Sequence, residues 1–149
     1  MTWTGGPWVV DTSAWARASE PAVAELWKEA ARAGELIGCP IVTLELLYDA
    51  RDRHEIEEVA RALVAHPQAP ITRTVTDTGI WAMRQLADQG PAGWHRVRLP
   101  DALIAAAASE RGFGVCHLAR NAVAVSRRLG GHGGRRARGR RALGGRWAR

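Results

Sequence analysis

Only two cysteines occur in this chain, Cys39 and Cys116, far apart and without CxxC spacing. That excludes a disulfide scaffold and points to a reduced, cytoplasmic protein. The pair Cys116-His117 is no zinc site, because no second pair of ligands stands at suitable spacing. Long apolar runs are missing as well. The longest, Ala102 to Ala108, is far too short to cross a bilayer. Met1 to Pro7 holds no basic region followed by an apolar run, so nothing resembles a signal peptide. His54, His66, His95, His117 and His132 lack any spacing that suggests a catalytic triad with a serine or cysteine nucleophile. No internal repeat is present. Finally, residues 120–149 contain ten Arg and no Asp or Glu. Subtracting them from the totals leaves 11 basic against 15 acidic residues in 1–119, a net charge of −4, although the whole chain carries +6. The basicity therefore belongs to the tail, and the body is mildly acidic.

What is present suits a single domain. At 149 residues the chain is long enough to bury a core without disulfides or metals. Its 46% hydrophobic and 24% charged residues are ordinary for a globular protein. Trp8-Val9-Val10 predicts a short buried strand, with Thr12 or Ser13 as a cap for a following helical turn. Residues 21–33 predict a helix with Val23, Leu26, Trp27 and Ala30 on one face, stopped by Gly34. Residues 35–39 predict a second strand ended by Pro40. Helices are expected over 43–50, with Leu44, Leu47 and Tyr48 facing inward, and over 53–65, 76–88 and 100–111. Residues 71–75 fit a strand or an irregular link, 90–94 a loop, and 112–118 a strand entered through two glycines. Strands alternating with helices predict an α/β fold with a parallel sheet covered on both faces. From Gly130 onward the apolar pattern collapses, and 130–149 reads as a disordered Gly/Arg-rich tail behind a domain spanning 1–129. Trp15, Trp27 and Trp81 fall on apolar helix faces, which suits packing in the core or in a dimer better than base stacking.

Three acids occupy places that give them a common direction. Asp11 ends the first strand, Glu45 lies early in the helix after the second strand, and Asp101 sits in the first turn of the alanine-rich helix. Ends of parallel strands and starts of the helices that follow them lie on one edge of such a sheet, where ligands bind. Clustered there, hard oxygen donors would hold Mg²⁺ or Mn²⁺ rather than a soft metal. Each acid also has a structural alternative. Asp11 suits an Asx turn or cap, Asp101 a helix-start charge favoured by the macrodipole, and Glu45 a solvated helix position. Asp49, Asp52, Glu55, Glu57, Glu58, Asp77 and Asp88 read as surface charges. Thr12 and Ser13 suit turn capping, fixing of Asp11 or contact with a phosphate.

"VVDTSAWAR", "PIVTLELLYDARD", "WHRVRLPDALIAAAA" and "RGFGVCHL" follow one another in the order and spacing of PIN-domain ribonucleases. More narrowly, the chain resembles the VapC-type toxins of bacterial toxin–antitoxin systems, over about residues 8 to 118. This resemblance implies a PIN-like three-layer fold and a Mg²⁺-dependent endoribonuclease with Mn²⁺ as a possible substitute ion. Asp11 and Asp101 match metal-binding acids, and Glu45 matches a further catalytic acid. Arg96 and Arg98 flank the cleft as candidate RNA phosphate contacts. The implied partners are RNA, a cognate antitoxin and a second copy of the chain.

The match fails at the fourth acid. The family continues after its last strand with a pattern like "HxDxDF", and here the chain reads "HLARNA". His117 fits. Ala119 stands at the first aspartate position, and Asn121 at the second, where it offers only a neutral carbonyl oxygen. Downstream the chain no longer looks like the family's closing strand and helix, which we read as a decayed or frame-disrupted C-terminus. Two functions follow as expectations. The first is an active ribonuclease toxin using metal-activated water. The alternative is a catalytically impaired or dead PIN domain that keeps only antitoxin binding.

Overall fold

The computed structural model describes residues 6–90, 95–119 and 122–126. The chain runs β1 (Trp8–Val10), α1 (Thr12–Trp15), α2 (Ala24–Arg32), β2 (Leu36–Ile37), α3 (Pro40–Tyr48), α4 (Arg53–Val64), α5 (Arg73–Gln89), α6 (Leu99–Glu110), β3 (Gly114–Ala119) and β4 (Ala122–Ser126). The strands form one sheet in the order β2-β1-β3-β4. β1 is central and parallel to both neighbours, pairing Val9 with Ile37 on one side and Val10 with Cys116 on the other. β4 adds an antiparallel edge, with Cys116 opposite Val125 and Ala119 opposite Ala122.

Strand alternation divides the core in two, because successive side chains leave opposite faces of a sheet. Val9 and Ile37 pack with Val42 of α3, Val75 of α5 and Ile104 and Ala106–Ala108 of α6. Trp8, Val10, Leu36 and Cys116 pack on the other face against Ala14 of α1 and Ala30 of α2, with Trp15 and Trp27 beside them. The result is three layers, helix–sheet–helix, as the alternating pattern predicts. Small residues let α6 lie close on the sheet, and Ala106, Ala107 and Ala108 are all buried.

The same local device feeds two of the strands. Gly34 follows the C-cap of α2 and Gly112 that of α6, and both glycines have φ near +70° (70° and 68°). After each, a backbone N–H returns to the helix: Glu35 donates to the Ala30 carbonyl and Phe113 to that of Ala108, both at 2.9 Å. Only glycine takes this left-handed conformation without strain.

Several boundaries differ from the sequence expectation. α3 starts at Pro40, which opens the helix in its first turn instead of ending a strand. This phase turns Leu44 and Tyr48 outward, to 64% and 88% exposure, and buries Val42. Of residues 71–75, Ile71 and Thr72 form an irregular link and the rest already belong to α5. Thr72 caps α5 by accepting a hydrogen bond from the Val75 N–H at 3.3 Å. α2 is shorter than expected and starts at Ala24. β4 is a strand that the sequence reading missed. Residues 91–94 of the loop expected over 90–94, Asn121 and the expected tail at 130–149 lie outside the described residues.

Candidate active site

Asp11 is fixed by the sheet itself. Its N–H donates to the Cys116 carbonyl at 2.9 Å, continuing the β1–β3 ladder by one residue. Its own carbonyl accepts from Ala14 (3.0 Å) and Trp15 (3.1 Å), the first bonds of α1. The strand therefore ends where a helix begins, and the Asp11 side chain is left at the carboxyl edge. It caps nothing. Instead, Ser13 Oγ donates to Asp11 Oδ2 at 2.7 Å.

Glu45 reaches the same edge from α3. Thr12 Oγ1 donates to Glu45 Oε2 at 2.5 Å, joining the start of α1 to the second turn of α3. Thr12 and Ser13 thus act on the carboxylates, and neither caps the helix they open. Asp101, in the first turn of α6, completes the edge. Burial pushes its carboxyl above the usual range, Arg98 works against that, and the charges of Asp11 and Glu45 add to the upward push. Asp101 therefore feels the charges of the other two acids, as like charges near one site do.

Arg98, the last residue before α6, lies among them. Its Nη2 donates to Glu45 Oε1 at 3.3 Å, and its Nη1 stands 3.9 Å from Asp101 Oδ1. Two hollows share Asp11, Ser13 and Arg98 in their linings. One, of about 170 Å³, is lined by Asp11, Ser13, Arg98, Asp101, Val115 and His117. A more open groove is lined by Asp11, Thr12, Glu45, Arg98, Leu44 and Tyr48, with Asp49 at its margin. Among the described residues, no three His, Cys, Asp or Glu side chains stand close enough to hold one ion as they are arranged. Asp11 is the common member: Asp101 shares the first hollow with it, and Glu45 the second.

The remaining residues divide clearly. His117 follows the buried Cys116 and lines the first hollow. Asp49, read from sequence as a surface charge, borders the groove, and its place at the end of α3 was the available signal. Arg96 is exposed and lines neither hollow. Trp15 packs edge-on against Trp27, their ring centroids 5.0 Å apart, so both serve packing. Both cysteines are buried and free. Burial, with the Asp11 charge adding to it, raises the Cys116 thiol to about 12, and burial raises Cys39, so neither is a reactive thiolate. No helix among the described residues is long and apolar enough to cross a membrane.

The chain is similar to known proteins over most of its length. The PIN domain family matches residues 8–120. Ribonuclease VapC18 of Mycobacterium tuberculosis is 33% identical over 112 residues, covering 75% of this chain and 82% of that protein. Ribonuclease VapC51 of the same organism is 34% identical over 110 residues, covering 74% and 78%. The fold is similar to that in the crystal structure of VapBC2 from Rickettsia felis bound to a promoter DNA fragment. There the TM-score is 0.57, with 13% identity and coverage of 72% of this chain and 84% of that one. It is also similar to DNA-bound VapBC from Salmonella typhimurium, with a TM-score of 0.56, 16% identity and coverage of 76% and 85%. With a family match over most of its length and two relatives above 30% identity, the chain belongs to the PIN-domain family and, within it, to the VapC type.

Proposed function

We propose that this chain is a metal-dependent endoribonuclease and the toxic member of a toxin–antitoxin pair. The observation that carries this reading is the meeting of Asp11, Glu45 and Asp101, from three separate elements, at the carboxyl edge of the parallel sheet. The names of the related ribonucleases and of the VapBC complexes support it.

The donor set fits a small divalent cation. Its oxygens are hard, their charges oppose one another at Asp101, and arginine is the neighbour that offsets them. Asp11 and Asp101 would hold Mg²⁺, or Mn²⁺ in its place, and Glu45 would complete the shell or position the attacking water. Such an ion supplies charge neutralisation at the phosphate and a water more easily deprotonated at neutral pH. Ser13 and Thr12 keep the carboxylates of Asp11 and Glu45 in place by donating to them. Arg98 at the rim, with Arg96 beyond it, would meet RNA phosphates, which rewards cations without reading sequence. Asn121 stands in the fourth position as a weak neutral donor. The partners of this reading are RNA, an antitoxin protein and a second copy of the chain, in the cytoplasm.

A second reading has its own observation. Ala119 ends β3 where the family pattern carries an acid, so the domain would be impaired or dead and would act only by capturing its antitoxin. Induced expression separates the two. An active toxin arrests growth and degrades RNA, co-expression of the neighbouring antitoxin relieves the arrest, and Asp11→Asn abolishes it. A folded chain that leaves growth and RNA untouched would favour the second reading.

A further inference from the structure

Two carboxylates at the sheet edge, Asp11 and Glu45, are held by hydroxyl donors, but the cation beside them is exposed and loosely paired. Ser13 and Thr12 fix Asp11 and Glu45 through hydrogen bonds of 2.7 and 2.5 Å. Arg98 meets Glu45 at 3.3 Å and Asp101 only at 3.9 Å, at and beyond the outer limit of a good hydrogen bond. Its side chain is 73% exposed, against 24% for Glu45 and 35% for Asp101. It projects from the residue preceding α6, and it lines both hollows that Asp11 joins. One long, exposed guanidinium therefore spans the gap between Glu45, which Thr12 anchors, and Asp101. Exposed ion pairs of this kind are weak and readily exchanged.

We propose that Arg98 is the resident counter-cation of this site, occupying the Glu45–Asp101 gap in the metal-free protein and leaving it when a divalent cation binds. The inference rests on the reading of Asp11, Glu45 and Asp101 as the metal site. Metal and guanidinium then compete for Asp101, the carboxylate they share, and for Glu45 wherever it completes the ion's shell. Displacement turns the guanidinium outward to the rim, where a phosphate of the substrate can take it up. Arg98 thus opposes metal binding and favours RNA binding, so its removal shifts the two affinities in opposite directions. An arginine that only supported the fold would not oppose metal binding.

The test is a Mn²⁺ titration of the purified, metal-free chain, with free Mn²⁺ followed by electron paramagnetic resonance, at low and at moderate ionic strength. Arg98→Ala should bind Mn²⁺ more tightly by about three- to tenfold, the scale set by losing two exposed ion pairs and a like charge. The gain should shrink as salt rises. Arg98→Lys should stay near the parent, since a positive charge remains, and Arg98→Gln should repeat the alanine result if that variant folds poorly. Unchanged or weaker Mn²⁺ binding in Arg98→Ala and Arg98→Gln, with binding lost in Asp11→Asn, would overturn the exchange and leave the metal site standing. Undiminished binding in Asp11→Asn would overturn the metal site and the exchange with it.

Discussion

Two acidic regions of this molecule handle their charge in opposite ways. Along α4 and the turn before it, acids and bases alternate at helical spacing. Glu55 is met by Arg51 at 3.0 Å, Glu57 by Arg53 at 2.8 Å, and Glu58 faces His54 at 3.6 Å. Each pair is four residues apart, exposed, and formed by one stretch of chain. At the sheet edge the acids come from α3, α6 and the end of β1, and the pair Arg98–Glu45 joins residues 53 positions apart. There one exposed arginine serves two of the carboxylates, and burial together with the charges of Asp11 and Glu45 raises the proton affinity of Asp101. A local pair costs the fold nothing to assemble and contributes little. A cluster short of cations costs stability, and that is the arrangement expected where charge is kept for a ligand.

The contrast can be broken most severely at Asp11. Asp11→Asn should lower RNA cleavage by on the order of a hundredfold or more, the scale of removing a group that stabilises charge in the transition state. Its circular dichroism and melting temperature should not fall, because the substitution removes one of three repelling charges. Next comes Thr12→Val, which removes the hydroxyl donor of Glu45 and leaves only Arg98 on it. Metal affinity should drop by about tenfold, as for other groups that orient a ligand, and Thr12→Ser should restore it.

A smaller effect separates the two regions by pH. The Asp101 carboxyl titrates above its unfolded value, so the folded state is favoured below that value and loses this advantage as pH rises through the folded titration range. Asp101→Asn should therefore raise the melting temperature of the metal-free protein near neutral pH by about 1–2 °C, and the gain should vanish in acid. The smallest effect belongs to α4. Arg53→Ala should cost less than about 0.5 kcal/mol in denaturant unfolding, with cleavage unchanged. A larger loss there would erase the distinction drawn between the regions.

Much of this layout is legible in the sequence, and the misses have physical causes. Apolar strands ending in charge, glycines after helices and an alanine-rich helix identify β1, the turns at Gly34 and Gly112, and α6. The direction shared by Asp11, Glu45 and Asp101 follows from that topology. The inward face of α3 does not, because "PIVTLELLY" is apolar nearly all round and its phase depends on whether Pro40 stops a strand or starts a helix. Thr72 as a cap was hidden by the β-branched neighbours that suggested a strand. The alternation in "AVAVS" was a usable signal for β4, overshadowed by the loss of the acidic pattern just before it. Arg98 could be placed near the cleft from sequence, but its bridge between Glu45 and Asp101 depends on how α3 and α6 pack.

The proposed function requires that Asp11 and Asp101, with Glu45 beside them, serve a catalytic ion although Ala119 stands at the fourth acidic position. Its most direct test is incubation of a mixed RNA substrate with the purified chain, in Mg²⁺ or Mn²⁺ and in EDTA, with Asp11→Asn as the control for contaminating nuclease. Cleavage that requires the metal and disappears in the variant is the predicted result. Cleavage that persists in EDTA or in the variant, or none at all from folded protein supplied with metal, would contradict it.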